Sequence, residues 1–244
     1  MSPLAIKGIL RTDLLRLLRD RFLLGMTGYI LGMALLVRFA VPWIDAELQA
    51  RMSFDLGPWY TLISSHFVVG LSGLLAGILG GLLLMEGRES GTLRAQLVTP
   101  VPVQSYVRLM GGVMFVGSTG LALVSAALVG FNLPPWPALV LASVMAAPAS
   151  VAMGLFIAAM AESKTEAFVY LKICAVLPLL PSGAWFLPEP WQWLAGIHPS
   201  YFAAKAFWIA EAGETGWALW ACGAIVPAAF WLWVLSRLFV RAVR

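Results

Sequence analysis

The sequence predicts an all-α polytopic membrane protein, with six transmembrane helices, an N-terminal interfacial amphipathic helix and a short cytoplasmic helix. Three observations carry this reading. Hydrophobic residues make up 61% of the 244 and charged residues only 11%, with a mean hydropathy of +0.87, outside the range of a water-soluble domain. The apolar residues gather in six runs, each near the ~20 residues a helix needs to cross ~30 Å of hydrocarbon. Lys and Arg concentrate in alternate connections, the asymmetry that orients a chain in a bilayer.

Residues 1–21 form the first element. Leu10, Leu14, Leu17 and Leu18 share one helical face, and Asp13, Arg16, Arg19 and Asp20 lie opposite, so the helix lies in the interface. Arg11 sits at the edge of the apolar face, where its stem can snorkel. The transmembrane domain then occupies 22–244, with spans at about 22–43, 58–85, 109–131, 137–161, 168–187 and 217–239. Between the second and third spans, residues 86–108 are polar and hold a short helical pattern ended by Thr99-Pro100. The fifth span carries Pro178 and Pro181, which bend it. Residues 188–216 open on Pro188 and Pro190 and are rich in Trp, which predicts a partly embedded segment with short interfacial helices.

A cytoplasmic N-terminus puts Lys7, Arg11, Arg16, Arg19, Arg21, Arg88, Arg94, Arg108, Lys164, Lys172, Arg237, Arg241 and Arg244 on one side, leaving Arg51 and Lys205 outside. Both termini are therefore expected in the cytoplasm. The formal charge of +4 is explained by this placement, and no nucleic-acid partner is expected. Catalytic templates are missing: the sequence has no HExxH, GxSxG or Cys-x-x-Cys, and its histidines, His66 and His198, lie in separate segments. Cys174 and Cys222 fall within spans and read as small buried hydrophobes. The chain is not expected to be an enzyme. It has no G-x-x-x-x-G-K-[ST] loop, so any ATP that drives it is bound by another chain.

The polar segment after the second span runs from Met85 to Pro100, with Glu86, Arg88 and Glu89 at its entry and Gly91 and Thr92 at the turn. Leu93 and Leu97, four apart, form an apolar knob before the Thr99-Pro100 stop. Such a knob can plug a cleft on a cytoplasmic protein or lie on anionic lipid.

The chain resembles the permease subunits of ABC-2-type ABC transporters, a family of six-helix exporters that includes drug and fluoroquinolone exporters. The resemblance rests on Glu89-x-Gly91-Thr92-Leu93 with Thr99-Pro100, on Lys164-x-Glu166-Ala167 with Lys172, and on Pro199-Ser200-Tyr201-Phe202. It covers essentially the whole chain. It implies that Glu86 to Thr99 is a coupling helix docking on a nucleotide-binding subunit, with Lys164 and Glu166 assisting from the second cytoplasmic loop. It also implies two cytoplasmic ABC ATPase subunits, which would hold the ATP and Mg while this chain holds no cofactor or metal. A second permease copy, identical or paralogous, would complete the assembly in the plasma membrane, the inner membrane of a bacterium.

Four further features stand out. Gly70, Gly73, Gly77 and Gly80 leave one face of the second span without side chains, for packing within the chain or at a dimer seam. His66 is an ionisable group within the same span, either functional or a neutral imidazole bonded to a neighbouring helix. Trp185, Phe186, Trp191 and Trp193 crowd the outer boundary after Pro178 and Pro181, as an interfacial belt or an outer gate. Arg38 reads as a snorkelling anchor.

Taken together, the leading expectation is an ATP-driven exporter subunit. Sparse charge inside the spans suggests an amphiphilic or hydrophobic cargo: a drug, antibiotic or lipid. One alternative is an ion-coupled secondary transporter or channel, for which His66 is nearly the only relay. Another is the membrane subunit of a haem or cofactor exporter.

Overall fold

The fold is described by a computed structural model covering Arg19 and residues 21–91 and 103–243. Among the described residues the chain is all helical, and six segments are long and apolar enough to cross a membrane: Leu24–Met52, Gly57–Glu89, Gln104–Val129, Trp136–Met160, Lys164–Ala184 and Trp217–Ala242. The interfacial helix expected over residues 1–21 lies outside the described residues, apart from Arg19 and Arg21.

Helix α1 (Arg21–Met52) runs through Pro42 and continues past residue 43. The second span is built from a 3-10 turn (Gly57–Trp59), α2 (Tyr60–Ser65), a π-helical stretch (His66–Ser72) and α3 (Gly73–Glu89). Helices α4 (Val103–Val129) and α5 (Trp136–Met160) follow. Pro135 and Pro137 flank the first residue of α5, where a fixed φ and a missing N–H cost the helix nothing.

The fifth span is α6 (Lys164–Val176) followed, after the break at Leu177 and Pro178, by the short α7 (Leu179–Ala184). The sixth is α10 (Trp217–Gly223) joined through Ala224 to α11 (Ile225–Val243). Between them come α8 (Glu189–Gln192), a 3-10 turn (Trp193–Ile197) and α9 (Ser200–Glu211). Tyr201, Ala203, Phe207 and Trp208 of α9 are buried, so this helix is enclosed by protein instead of lying on an interface.

Helix α5 is the hub of the bundle. It packs most heavily against α3 and then against α4, α11 and α9. Its sequence explains this, since Ala142, Ala146, Ala147, Ser150 and Gly154 are all buried and small residues let neighbouring backbones approach on every side. The inner cluster joins Leu75, Leu84, Met85, Met110, Met114, Ile157 and Phe239. A second cluster centres on Val68, Leu139, Phe207 and Trp208. Large apolar side chains on α1 and α11, among them Tyr29, Phe39, Trp43, Val226 and Trp233, face outward. In a bilayer that outer surface meets lipid tails and carries no hydrophobic penalty.

Candidate functional site

At the end of the bundle that carries Arg88, Arg108, Lys164, Arg237 and Arg241, here the basic end, α3 runs one turn into the polar connection, to Glu89. Ser90 is the C-cap residue and Gly91 follows with φ +71°, a left-handed conformation that releases the chain from the helix axis and favours glycine. Arg88 crosses from α3 to α5. Its Nη1 donates to the carbonyls of Ala158 and Ala159, each at 3.0 Å, and its Nη2 donates to that of Ala161. Carbonyls in a last helical turn lack partners and carry partial negative charge, so one guanidinium satisfies several groups at once.

Glu86, two residues before Arg88, accepts from Lys164 Nζ at 2.6 Å. Lys164 is the first residue of α6, which starts with its own cap. Ser163 Oγ accepts from the Glu166 N–H at 3.3 Å, and the Glu166 carboxylate accepts from the Glu162 N–H at 2.9 Å. This is a variant of the reciprocal capping box, reaching one residue further back. Glu86 and Arg88 thus fasten the end of α3 to the beginning of α6 and the end of α5. Glu89 is exposed, and a carboxylate in the last turn opposes the helix dipole. Thr92, Leu93, Leu97 and Thr99 lie outside the described residues.

The glycine face of α3 is occupied within the chain. A Cβ at Gly77 would fall 1.8 Å from the Ser150 carbonyl, and at Gly81 2.6 Å from that of Gly154. Ser150 Oγ also accepts from the Gly77 N–H at 2.7 Å. Gly80 meets Met114 of α4, with 2.5 Å between a virtual Cβ and Cγ, and Gly73 meets Ser118 at 3.3 Å. Gly70 does not share this seam: its nearest neighbours are His66 and Pro178, at ordinary separations of 3.5 and 3.6 Å. The π-helical stretch explains the difference, because its wider turn shifts the phase between Gly70 and Gly77 that an ideal helix assigns. Gly81, Ser150 and Gly154 complete the seam. The small-xxx-small spacing of Ser150 and Gly154 was the readable signal for the partner face.

The same stretch brings the mid-span residues together. His66 Nδ1 lies 2.7 Å from Ser182 Oγ, and His66, Gly70, Pro178, Pro181 and Ser182 surround a small void. Pro178 removes a backbone donor where α6 ends, and the Ser182 hydroxyl donates to the Pro178 carbonyl at 3.4 Å. Further along, Trp185 meets Trp208 edge-on at 4.9 Å, and Phe186 stacks on Trp59 at 5.4 Å. Helix α9 is anchored by hydrogen bonds from Trp208 Nε1 to Ser65 Oγ at 2.7 Å, from Thr61 Oγ1 to Glu211 at 2.7 Å and from Asn132 Nδ2 to Glu211 at 3.1 Å. Ser182, Thr61, Asn132 and Glu211 were not readable as a group, because their pairing depends on how α9 folds back.

On α9, Lys205 Nζ donates to Glu189 at 3.2 Å and Gln192 at 2.8 Å and lies 5.5 Å from the centre of the Trp220 ring. Among the described residues no cluster of His, Cys, Asp or Glu is arranged to hold a metal. Arg38 Nη1 reaches the carbonyls of Ala127 and Leu128 at 3.4 Å, which closes the end of α4.

Two comparisons bear on this geometry. A family described as the fluoroquinolones export permease protein Rv2686c-like matches residues 13–236. The fluoroquinolones export permease proteins MT2760 and Rv2686c, from Mycobacterium tuberculosis strains CDC 1551 / Oshkosh and ATCC 25618 / H37Rv, are each 30% identical to this chain. Those alignments cover 98% of this chain and 95% of each relative.

Proposed function

The chain belongs to the Rv2686c-like family of fluoroquinolone export permeases, and from that premise we propose that it is the membrane subunit of an ATP-driven exporter of amphiphilic drugs, fluoroquinolones among them. Two permease copies would work with two cytoplasmic ATPase subunits that hold ATP and Mg, and both termini of this chain would face the cytoplasm. The observation that carries the coupling half of this proposal is the joint at the basic end. The turn at Gly91 leads straight into the segment that contains Leu93 and Leu97, and Arg88 and Glu86, just before it, grip α5 and α6.

A push on residues 92–99 therefore meets three helices together. Helix α3 is locked to α5 through Gly77 and Gly81, so displacement at the basic end reaches the mid-span joint at His66, Pro178 and Ser182 with little slack. Glu89 and the Leu93–Leu97 knob offer a charged and an apolar contact to the ATPase. The wide apolar surfaces and the sparse intramembrane charge suit a cargo that partitions from the bilayer.

Affinity purification of the tagged chain in mild detergent, followed by transport assays in vesicles, tests the proposal. An ABC ATPase should copurify, and fluoroquinolone efflux should require ATP. Leu93→Asp should abolish the association while leaving elution and helicity of the permease unchanged. Efflux indifferent to ATP, or full assembly and efflux in Leu93→Asp, would overturn it.

A further inference from the structure

At the basic end, away from the joint just described, α4 and α11 flank an open cavity of about 430 Å³ lined by the exposed Arg108, Arg237, Arg241 and Gln104, with Ser236, over an apolar floor of Val107 and Val240. The three guanidiniums come from two spanning helices, and helical spacing aligns them. Gln104 and Arg108 are four apart near the start of α4, and Arg237 and Arg241 are four apart near the end of α11. Among the described residues the ion pairs of this chain involve Arg51, Lys164 and Lys205, and no carboxylate is paired with any of these three arginines.

Three cations held together repel one another, so a cluster of this kind favours an anion. A restrained side chain adds to that preference. The guanidinium of Arg237 is stacked 4.1 Å from the centre of the Trp233 ring, which restrains its side chain. Trp233 and Leu238, on the same helix, are exposed where acyl chains run.

We propose that this cavity is a binding site for the headgroup of an anionic glycerophospholipid, with its phosphate shared among Arg108, Arg237 and Arg241 and hydrogen-bonded by the Gln104 amide. A phosphate matches the planar fork of arginine, and basic pockets between spanning helices recognise such headgroups. The apolar floor and the neighbouring lipid-facing residues select a lipid over a free anion. The site is independent of the identity of the cargo.

Native mass spectrometry of the purified full chain in a neutral detergent tests this, with phosphatidylglycerol, cardiolipin, phosphatidylcholine and inorganic phosphate as separate probes. Phosphatidylglycerol and cardiolipin should be retained and phosphatidylcholine should not. Each of Arg108→Gln, Arg237→Gln and Arg241→Gln should weaken retention about fivefold, at roughly one cationic contact each, and the triple variant more than about fiftyfold. Arg51→Gln, at the opposite end, should leave retention unchanged. If the triple variant misfolds, the single variants carry the test, and three singles that retain lipid like the parent overturn the proposal. Equal retention of phosphatidylcholine overturns it, as does inorganic phosphate binding as tightly as the lipids. Lipid retention seen only when a second protein copurifies would move the site to an interface with that protein and overturn it as well.

Discussion

Gly77 has the least room for change of any glycine in α3. A methyl group there would overlap the Ser150 carbonyl, at 1.8 Å, and neither backbone can yield without parting the two helices. Overpacking of this kind typically costs 1–3 kcal/mol, and Gly77→Ala should fall at or above the upper end. Gly112→Ala, where the space is open, should be neutral or slightly stabilising because it lowers the entropy of the unfolded chain. Melting temperatures in detergent separate the two, and equal shifts would contradict the close contact. His198 supplies a pH dependence. Burial pushes its imidazole from 6.5 down to about 4, and its Nδ1 lies 2.6 Å from Ser200 Oγ. Below pH 6.5 the unfolded chain takes up the proton first, so stability is intact above about 6.5 and falls as the pH drops toward about 4. His198→Gln should flatten the melting temperature over that window. An unchanged slope would show that other groups carry it.

At the scale of helices, the contact between Glu86 and Lys164 joins two elements that the chain separates by two spans. Both side chains are substantially exposed, at 35% and 62%, so the pair adds only about 0.2–1 kcal/mol to stability. Its consequence is geometric: it sets where α6 begins relative to the end of α3. Lys164→Glu should therefore lower efflux while shifting the melting temperature little, and Glu86→Lys combined with Lys164→Glu should restore much of the loss. A double variant no better than Lys164→Glu alone would remove this pair from the coupling path. The sequence made most of these elements legible. Apolar runs of spanning length located the helices, although α1 runs on to Met52 and α6 begins at Lys164, ahead of the span expected from 168. It did not reveal the π-helical stretch or the burial of α9. Both depend on contacts distant in sequence, such as Trp208 with Ser65, and neither alters composition or hydropathy. Gly70 joined the wrong set for the same reason, because helical phase is counted from an ideal turn that the chain does not follow there.

Across the whole molecule, the joint at the basic end and the folded-back α9 at the other lie at opposite ends of α5, the helix that most neighbours share. Under the proposed coupling Arg88 is the link to test, since it ties the last turn of α5 to the end of α3. Arg88→Ala should keep the ATPase bound and hydrolysing ATP while efflux falls by about tenfold or more, the equivalent of losing one charge-assisted set of hydrogen bonds. Loss of ATPase binding in that variant would instead make Arg88 part of the docking surface, as the sequence alone suggested. The candidate residues were legible as types and blurred as roles. Arg88 and Glu166 stood out because they are charged in a chain with little charge, but only the fold makes one a clasp on α5 and the other a cap on α6.

The seven residues from His66 to Ser72 give the second span the mechanics of a jointed shaft. Below them α3 is keyed to α5 by backbone contact and cannot turn; above them no glycine key is cut. A π-turn carries one surplus residue, and passing it one position along the rod rotates the residue it crosses by about 100° while the same number of hydrogen bonds is kept. A one-residue shift of that kind would reorient the side chains that face Pro178 and Ser182 while the keyed half stays in place.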